Sequence, residues 1–157
     1  MRKLRGYTKE LEVAKKLSKR KGLYAYRIPT SGSPRLPDVF AVDSYSKCVY
    51  AIEVKSSTRR RVEVKRHQLR RLRSFLRGFR ALARECVALV CLYSFRVRRW
   101  TVYELRGDVP SQRITGVAFR LDGESWVPEE GGGILNRGYH AQLVEKLLNA
   151  TRRRPKA

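Results

Sequence analysis

The sequence predicts an α/β domain, with a central mixed β-sheet flanked by helices, on three observations. Residues 87–95 are an almost unbroken apolar run, the mark of a central strand covered on both faces. Pro37–Val42 and Cys48–Lys55 flank the polar stretch Asp43–Lys47 and read as two strands of a hairpin. Helical periodicity at Thr8–Arg20 and again at Lys65–Phe79 brackets that hairpin. The order is helix, three strands, helix, two strands, with no internal repeat. A length of 157 residues suits one domain with one core.

In the first helix, Glu10, Val13, Ala14 and Leu17 fall on one face, with Leu11 at its edge. Glu12 points elsewhere, flanked by Lys15 and Lys16, and reads as part of a solvated ion-pair face. Glu10 is therefore the anomalous acid, a carboxylate on an apolar stripe. Lys21-Gly22 ends the helix, and Leu23–Ile28 follows as a strand with Tyr24 and Tyr26 on one face. Pro29–Pro34 is a hydroxyl-rich loop leading into Pro37-Asp38. Beside a reactive centre, Ser31, Ser33 and the Gly32 amide are suited to holding a phosphate.

Side chains two apart on a strand share a face. Ile52 and Val54 thus point one way, and Glu53 and Lys55 the other. In a hairpin turning at residues 43–47, Asp38 and Glu53 meet near the same end. Two carboxylates converging on one point repel unless a proton or a metal lies between them. Hard oxygen donors suit Mg²⁺ or Mn²⁺, and an adjacent Lys suits a water or a charged phosphate.

Pro37-Asp38, fourteen intervening residues and Glu53-Val54-Lys55 resemble the PD-(D/E)xK nuclease signature. Gly6-Tyr7-Thr8-Lys9-Glu10 and Arg27-Ile28-Pro29-Thr30-Ser31-Gly32-Ser33 stand upstream in the matching order. Together these residues resemble the archaeal Holliday junction resolvase family over about Gly6 to Leu105. The resemblance implies a restriction-endonuclease-like core and metal-dependent cleavage of four-way DNA junctions by a homodimer. It implies metal ligation by Glu10, Asp38 and Glu53, with the Val54 carbonyl as a further ligand, and Mg²⁺ as the ion, for which Mn²⁺ substitutes. It assigns Lys55 a catalytic role, gives Ser31 a phosphate-holding role in the same site, and makes Arg27 a supporting or phosphate-binding residue. Members often carry a Gln near Gln68.

Lys and Arg total 36 against 14 Asp and Glu, a formal charge of +22. Such a chain repels itself until an anionic partner neutralises it, and nucleic acid is the usual one. Arg59, Arg60 and Arg61 follow the catalytic strand and are expected to contact DNA, as are Arg70 and Arg71 on the second helix. His67 reads as a surface residue. No apolar run reaches membrane-spanning length, and no apolar region follows the charged start Met1–Arg5. A cytoplasmic, nucleoid-associated protein with no membrane partner is expected. Cys48, Cys86 and Cys91 offer no close pair; Cys86 and Cys91 lie on opposite faces of one strand. Buried structural thiols are expected, not a zinc site.

Arg99–Leu105 alternates as a partner strand, with Trp100, Val102 and Glu104 on one face. Beyond Arg106 the pattern weakens: Ile114–Leu121 reads as a strand, Glu129–Gly133 as a flexible loop and Tyr139–Asn149 as a helix. The expected organisation is a nuclease core at 1–106, an extension at 107–150 packed on it and a disordered basic tail at 151–157. A non-catalytic nucleic-acid-binding protein explains the charge equally well but leaves Glu10, Asp38 and Glu53 without a role. A restriction-like or repair nuclease with the same motif is the nearer alternative. Junction cleavage with and without Mg²⁺ separates the three.

Overall fold

The computed structural model describes the backbone of residues 2–29 and 35–150, and the side chains in those ranges from residue 6 onward. In chain order the elements are α1 (Arg2–Ser18), β1 (Leu23–Arg27), β2 (Val39–Asp43), β3 (Cys48–Ser57), β4 (Arg61–Val64) and α2 (Arg66–Arg77). They continue with β5 (Glu85–Ser94), β6 (Arg99–Leu105), β7 (Val117–Asp122), β8 (Ser125–Glu130), β9 (Leu135–Asn136) and α3 (Tyr139–Asn149). Six strands form the main sheet in the order β1-β2-β3-β5-β6-β9, and β4-β7-β8 form a small second sheet. Strands β3 and β5 pair in parallel and their other neighbours antiparallel, so the main sheet is mixed as expected.

Alternation along the central strands builds two cores. Cys48, Tyr50, Ile52 and Val54 of β3 and Val87, Leu89 and Cys91 of β5 face α1 and α3. Val49 and Ala51 of β3 and Ala88, Val90 and Leu92 of β5 face α2 and the small sheet, where Leu69, Leu72, Phe119 and Trp126 are buried. A strand sandwiched this way has no solvent face, which explains the apolar run seen in the sequence. Truncating a fully buried residue such as Leu72 to Ala would cost about 2–5 kcal/mol.

The β2–β3 turn fixes the register on which the candidate site depends. The Asp43 carboxylate accepts from the Tyr45 and Ser46 amides, at 2.9 and 3.1 Å, the Asx geometry that favours tight turns. Asp43 then pairs with Cys48 and Val39 with Ile52, which sets Asp38 opposite Glu53. Gly22, at φ +86°, lies in the turn between α1 and β1, where a Cβ would lie 2.4 Å from the Tyr45 ring. The positive φ favours glycine there, and a larger residue would also have to push the exposed Tyr45 ring aside.

Three stretches depart from the sequence expectation. The basic loop after β3 is a short turn that leads directly into strand β4. Glu129 and Glu130 end strand β8, and the expected loop narrows to a turn at Gly131, φ +75°. The N-terminal helix is longer than Thr8–Arg20 at its start. Among the described residues no helix is long and apolar enough to cross a membrane. The expected tail at 151–157 lies outside the described residues.

Candidate active site

Asp38 and Glu53 meet at the end of the β2–β3 hairpin, 6% and 1% exposed. Asp38 is held in place from three sides. Its amide donates to Ile52 O at 3.2 Å, its carbonyl accepts from Ile28 N at 2.9 Å, and its Oδ2 accepts from Val54 N at 2.8 Å. Glu53 projects from the β3 face covered by α2, from which Arg71 reaches in. Arg71 Nη2 donates to Glu53 Oε2 at 2.6 Å and to Asp38 Oδ1 at 3.2 Å, and Arg71 Nε donates to Glu53 Oε2 at 3.2 Å. One cation thus bridges two buried carboxylates.

Burial, and then the charge of Asp38, push the Glu53 carboxyl up to about 8 despite Arg71. Burial opposes the charge on Arg71 as well, but Glu53 and Asp38 outweigh it and raise its pKa. The Glu10 carboxyl is also raised, by burial first and by Asp38 second, against the lowering effect of Arg27. Arg27 Nε donates to Glu10 Oε2 at 3.0 Å, and the Arg27 guanidinium stacks 4.1 Å from the Tyr7 ring centre. Glu10 approaches from the α1 layer and Glu53 from the α2 layer. The acids therefore converge at the sheet end from opposite faces.

Glu12 is not on a solvated face. Its carboxylate accepts from Lys9 at 3.1 Å, Lys16 at 3.4 Å and Trp100 Nε1 at 2.8 Å. Burial works to raise its pKa, but the Lys9 and Trp100 hydrogen bonds outweigh this and hold it low. It ties α1 to β6.

Lys55 follows Glu53 on the same face of β3. Arg59 and Arg60 are exposed on the turn into β4, and Arg61 pairs with Glu129 at 3.2 Å. Arg70, by contrast, donates to Ser111 O at 3.2 Å. Arg73 and Arg77 of the same helix reach Arg106 O and Ser111 Oγ. These side chains fasten the segment after β6 to α2, and Arg71 serves the carboxylates, so α2 is not the free phosphate-binding face expected. Gln68 Oε1 accepts from Lys65 N at 2.9 Å and caps α2. Ser31 and Ser33 lie outside the described residues.

The residues fit a divalent cation, because Asp38 Oδ1 and Glu53 Oε2 already converge on one positively charged nitrogen. All donors there are hard oxygens, which suit a Mg²⁺-type ion.

The family model for archaeal Holliday junction resolvase (hjc) matches residues 1–103. The chain belongs to the archaeal Holliday junction resolvase family. It is 37% identical over 103 residues to a crossover junction endodeoxyribonuclease of Sulfolobus islandicus rod-shaped virus 1, covering 64% of this chain and 78% of that protein. It is 39% identical over 83 residues to crossover junction endodeoxyribonuclease Hje of Saccharolobus solfataricus, covering 52% of this chain and 58% of that one. The match to Hje therefore spans less than two thirds of Hje. The 1.6 Å structure of Archaeoglobus fulgidus Hjc superposes with a TM-score of 0.53 at 20% identity, over 89% of this chain and 95% of Hjc. That likeness bears on the fold, a mixed sheet between helices in the restriction-endonuclease-like manner. Membership places the chain among endonucleases that resolve Holliday junctions.

Proposed function

We propose that the chain cuts four-way DNA junctions by Mg²⁺-dependent phosphodiester hydrolysis in recombination or repair, acting as a homodimer. The observation that carries this reading is the buried Asp38–Glu53 pair, held by a single internal cation beside Lys55. Asp38, Glu53 and Glu10, with the Val54 carbonyl, would hold one or two Mg²⁺ ions, for which Mn²⁺ substitutes. Such an ion, when bound, supplies Lewis acidity and an acidified water. Lys55 orients the attacking water or neutralises charge developing on the phosphate. Arg27 holds the Glu10 carboxylate in place. Before cation loading, Arg71 keeps the two buried acids together.

Arg59, Arg60 and Arg61 carry the DNA contacts, and Ser31 and Ser33 hold the phosphate. Residues 1–106 supply the catalytic core. Residues 107–150 contribute β9 to the sheet edge and α3 to the first core. Phosphate contacts carry no sequence information, so selectivity comes from the shape of the basic surface. A two-fold dimer matches the two strands that must be cut symmetrically.

The test is incubation with a labelled four-way junction and a matched linear duplex, each with Mg²⁺ and with EDTA. Paired symmetric cuts in the junction alone, dependent on Mg²⁺, are expected. Equal cutting of both substrates would leave a less selective nuclease, and no cutting with any divalent ion would leave a binding protein.

A further inference from the structure

At the far end of β3 from Glu53, three donor side chains of different chemistry meet. Cys48 opens β3, Glu85 opens β5, and the two are register partners on neighbouring parallel strands. Their side chains lie on the face covered by α3, whose first turn brings His140 over them. One ligand atom from each residue lies within 4.8 Å of the other two. His140 Nε2 stands 3.1 Å from Glu85 Oε2, close to the spacing of two donors on one tetrahedral zinc, whose bonds are about 2.0–2.2 Å long.

Behind the ring, the Tyr50 hydroxyl Oη lies 2.7 Å from His140 Nδ1. A metal-bound histidine uses such a partner on its second nitrogen to fix ring orientation and tautomer. Tyr50 also packs edge-on against the imidazole, with ring centres 5.3 Å apart. The thiol is buried and the carboxylate is exposed, so the cluster is walled on the protein side and open to water on the other.

We propose that Cys48, Glu85 and His140 form a second metal site, of the Zn²⁺ type, distinct from the catalytic carboxylates. Sulfur, imidazole nitrogen and one carboxylate oxygen select a borderline-soft ion, where Mg²⁺ demands oxygen donors throughout. Three protein ligands leave the fourth position to water. Binding releases the Cys48 proton to solvent as the thiolate forms. Glu53 is five residues along the same strand, about 16 Å away at strand rise, so this ion would take no part in the cut. Its effect would be to fasten α3 to the starts of β3 and β5, from which the three ligands come. The sequence argued against zinc because it has no close Cys pair, but folding supplies a carboxylate and a distant histidine instead.

The test uses the full chain carrying Asp38→Asn, so that the catalytic pair is weakened as a competing site. One equivalent of Co²⁺ should bind with a thiolate-to-cobalt charge-transfer band that Zn²⁺ abolishes. The band should vanish in Cys48→Ser and persist in Cys86→Ser. Glu85→Gln and His140→Gln should each weaken Zn²⁺ binding at least about 10-fold, and Tyr50→Phe by about 10-fold. Binding without a thiolate band, or a band that survives Cys48→Ser, overturns the site. Should Cys48→Ser fail to fold, unchanged Zn²⁺ affinity in both Glu85→Gln and His140→Gln overturns it equally.

Discussion

Arg71 and Glu53 form the shortest ion pair of the candidate active site, Nη2 to Oε2 at 2.6 Å, and the same nitrogen reaches Asp38 at 3.2 Å. A guanidinium thus stands where the proposed cation would bind. Removing the guanidinium leaves two buried acids without their hydrogen-bonded counter-charge, with only the weaker field of Lys55 on Glu53, a change that costs on the order of 3 kcal/mol. Arg71→Met should melt well below the wild type at pH 9 in EDTA. Added Mn²⁺ should recover more of the melting temperature in the variant than it adds to the wild type. Equal Mn²⁺ shifts in the two proteins would show that Arg71 and the metal do not share a place.

The Glu53 carboxyl is raised from 4.5 to about 8 by burial and by Asp38, which sets the sign of a pH effect. Between those values the folded protein keeps a proton that the unfolded chain has released. The stabilising contribution is complete below 4.5 and is lost as pH rises through about 8. In EDTA, Glu53→Gln should therefore lose less stability than the wild type between pH 6 and pH 9. Urea midpoints at the two pH values measure this, and parallel losses would place the Glu53 titration elsewhere.

Asp38→Asn and Glu53→Gln should abolish cutting while junction affinity stays level or rises, since the first removes negative charge beside a phosphate and the second adds none. The Asn amide oxygen can still accept from Val54 N, so the hairpin end survives the first change. Binding should weaken with salt, each neutralised phosphate adding about −0.9 to the log–log slope on duplex DNA. Gel shifts across a salt series read both effects. A variant that stays folded but loses binding would remove these residues as metal ligands.

Glu10 and Glu12 should separate activity from stability. Glu10→Gln is expected to lose most single-turnover cutting with an unchanged circular dichroism spectrum. Glu12→Gln should cut at close to the wild-type rate but unfold more easily, by about 1 kcal/mol, because its charged hydrogen bonds to Lys9 and Trp100 weaken. The reverse ranking would mean that Glu12, not Glu10, serves the site.

Much of the site was legible because it is local. The Asp43 turn, the two-residue alternation along β3 and the helical phase of Glu10 are all encoded within a few residues of the groups they position. Arg71 was not legible, since an arginine among many on a cationic helix carries no mark of which one turns inward. Nor was the small sheet: Arg61–Val64 is four residues long, and its partner Val117–Arg120 lies more than fifty residues on. Only the fold shows that Val64, Val117 and Phe119 are buried together. Glu12 was misplaced for a related reason, because Trp100 reaches it from β6, eighty-eight residues away.

The order in which the ribosome releases these groups has a consequence of its own. The β2–β3 hairpin closes on sequence-near contacts, so Asp38 and Glu53 can meet as soon as it has emerged. Their counter-charge, Arg71, lies eighteen residues beyond Glu53, and it is delivered only when α2 docks on β3 and β5 completes the parallel pair. A hairpin formed ahead of the helix would hold the two acids without Arg71, screened by water, a shared proton or a captured cation until α2 docks. On this order of delivery, the Asp38–Glu53 end of the hairpin would settle after the turn at Asp43.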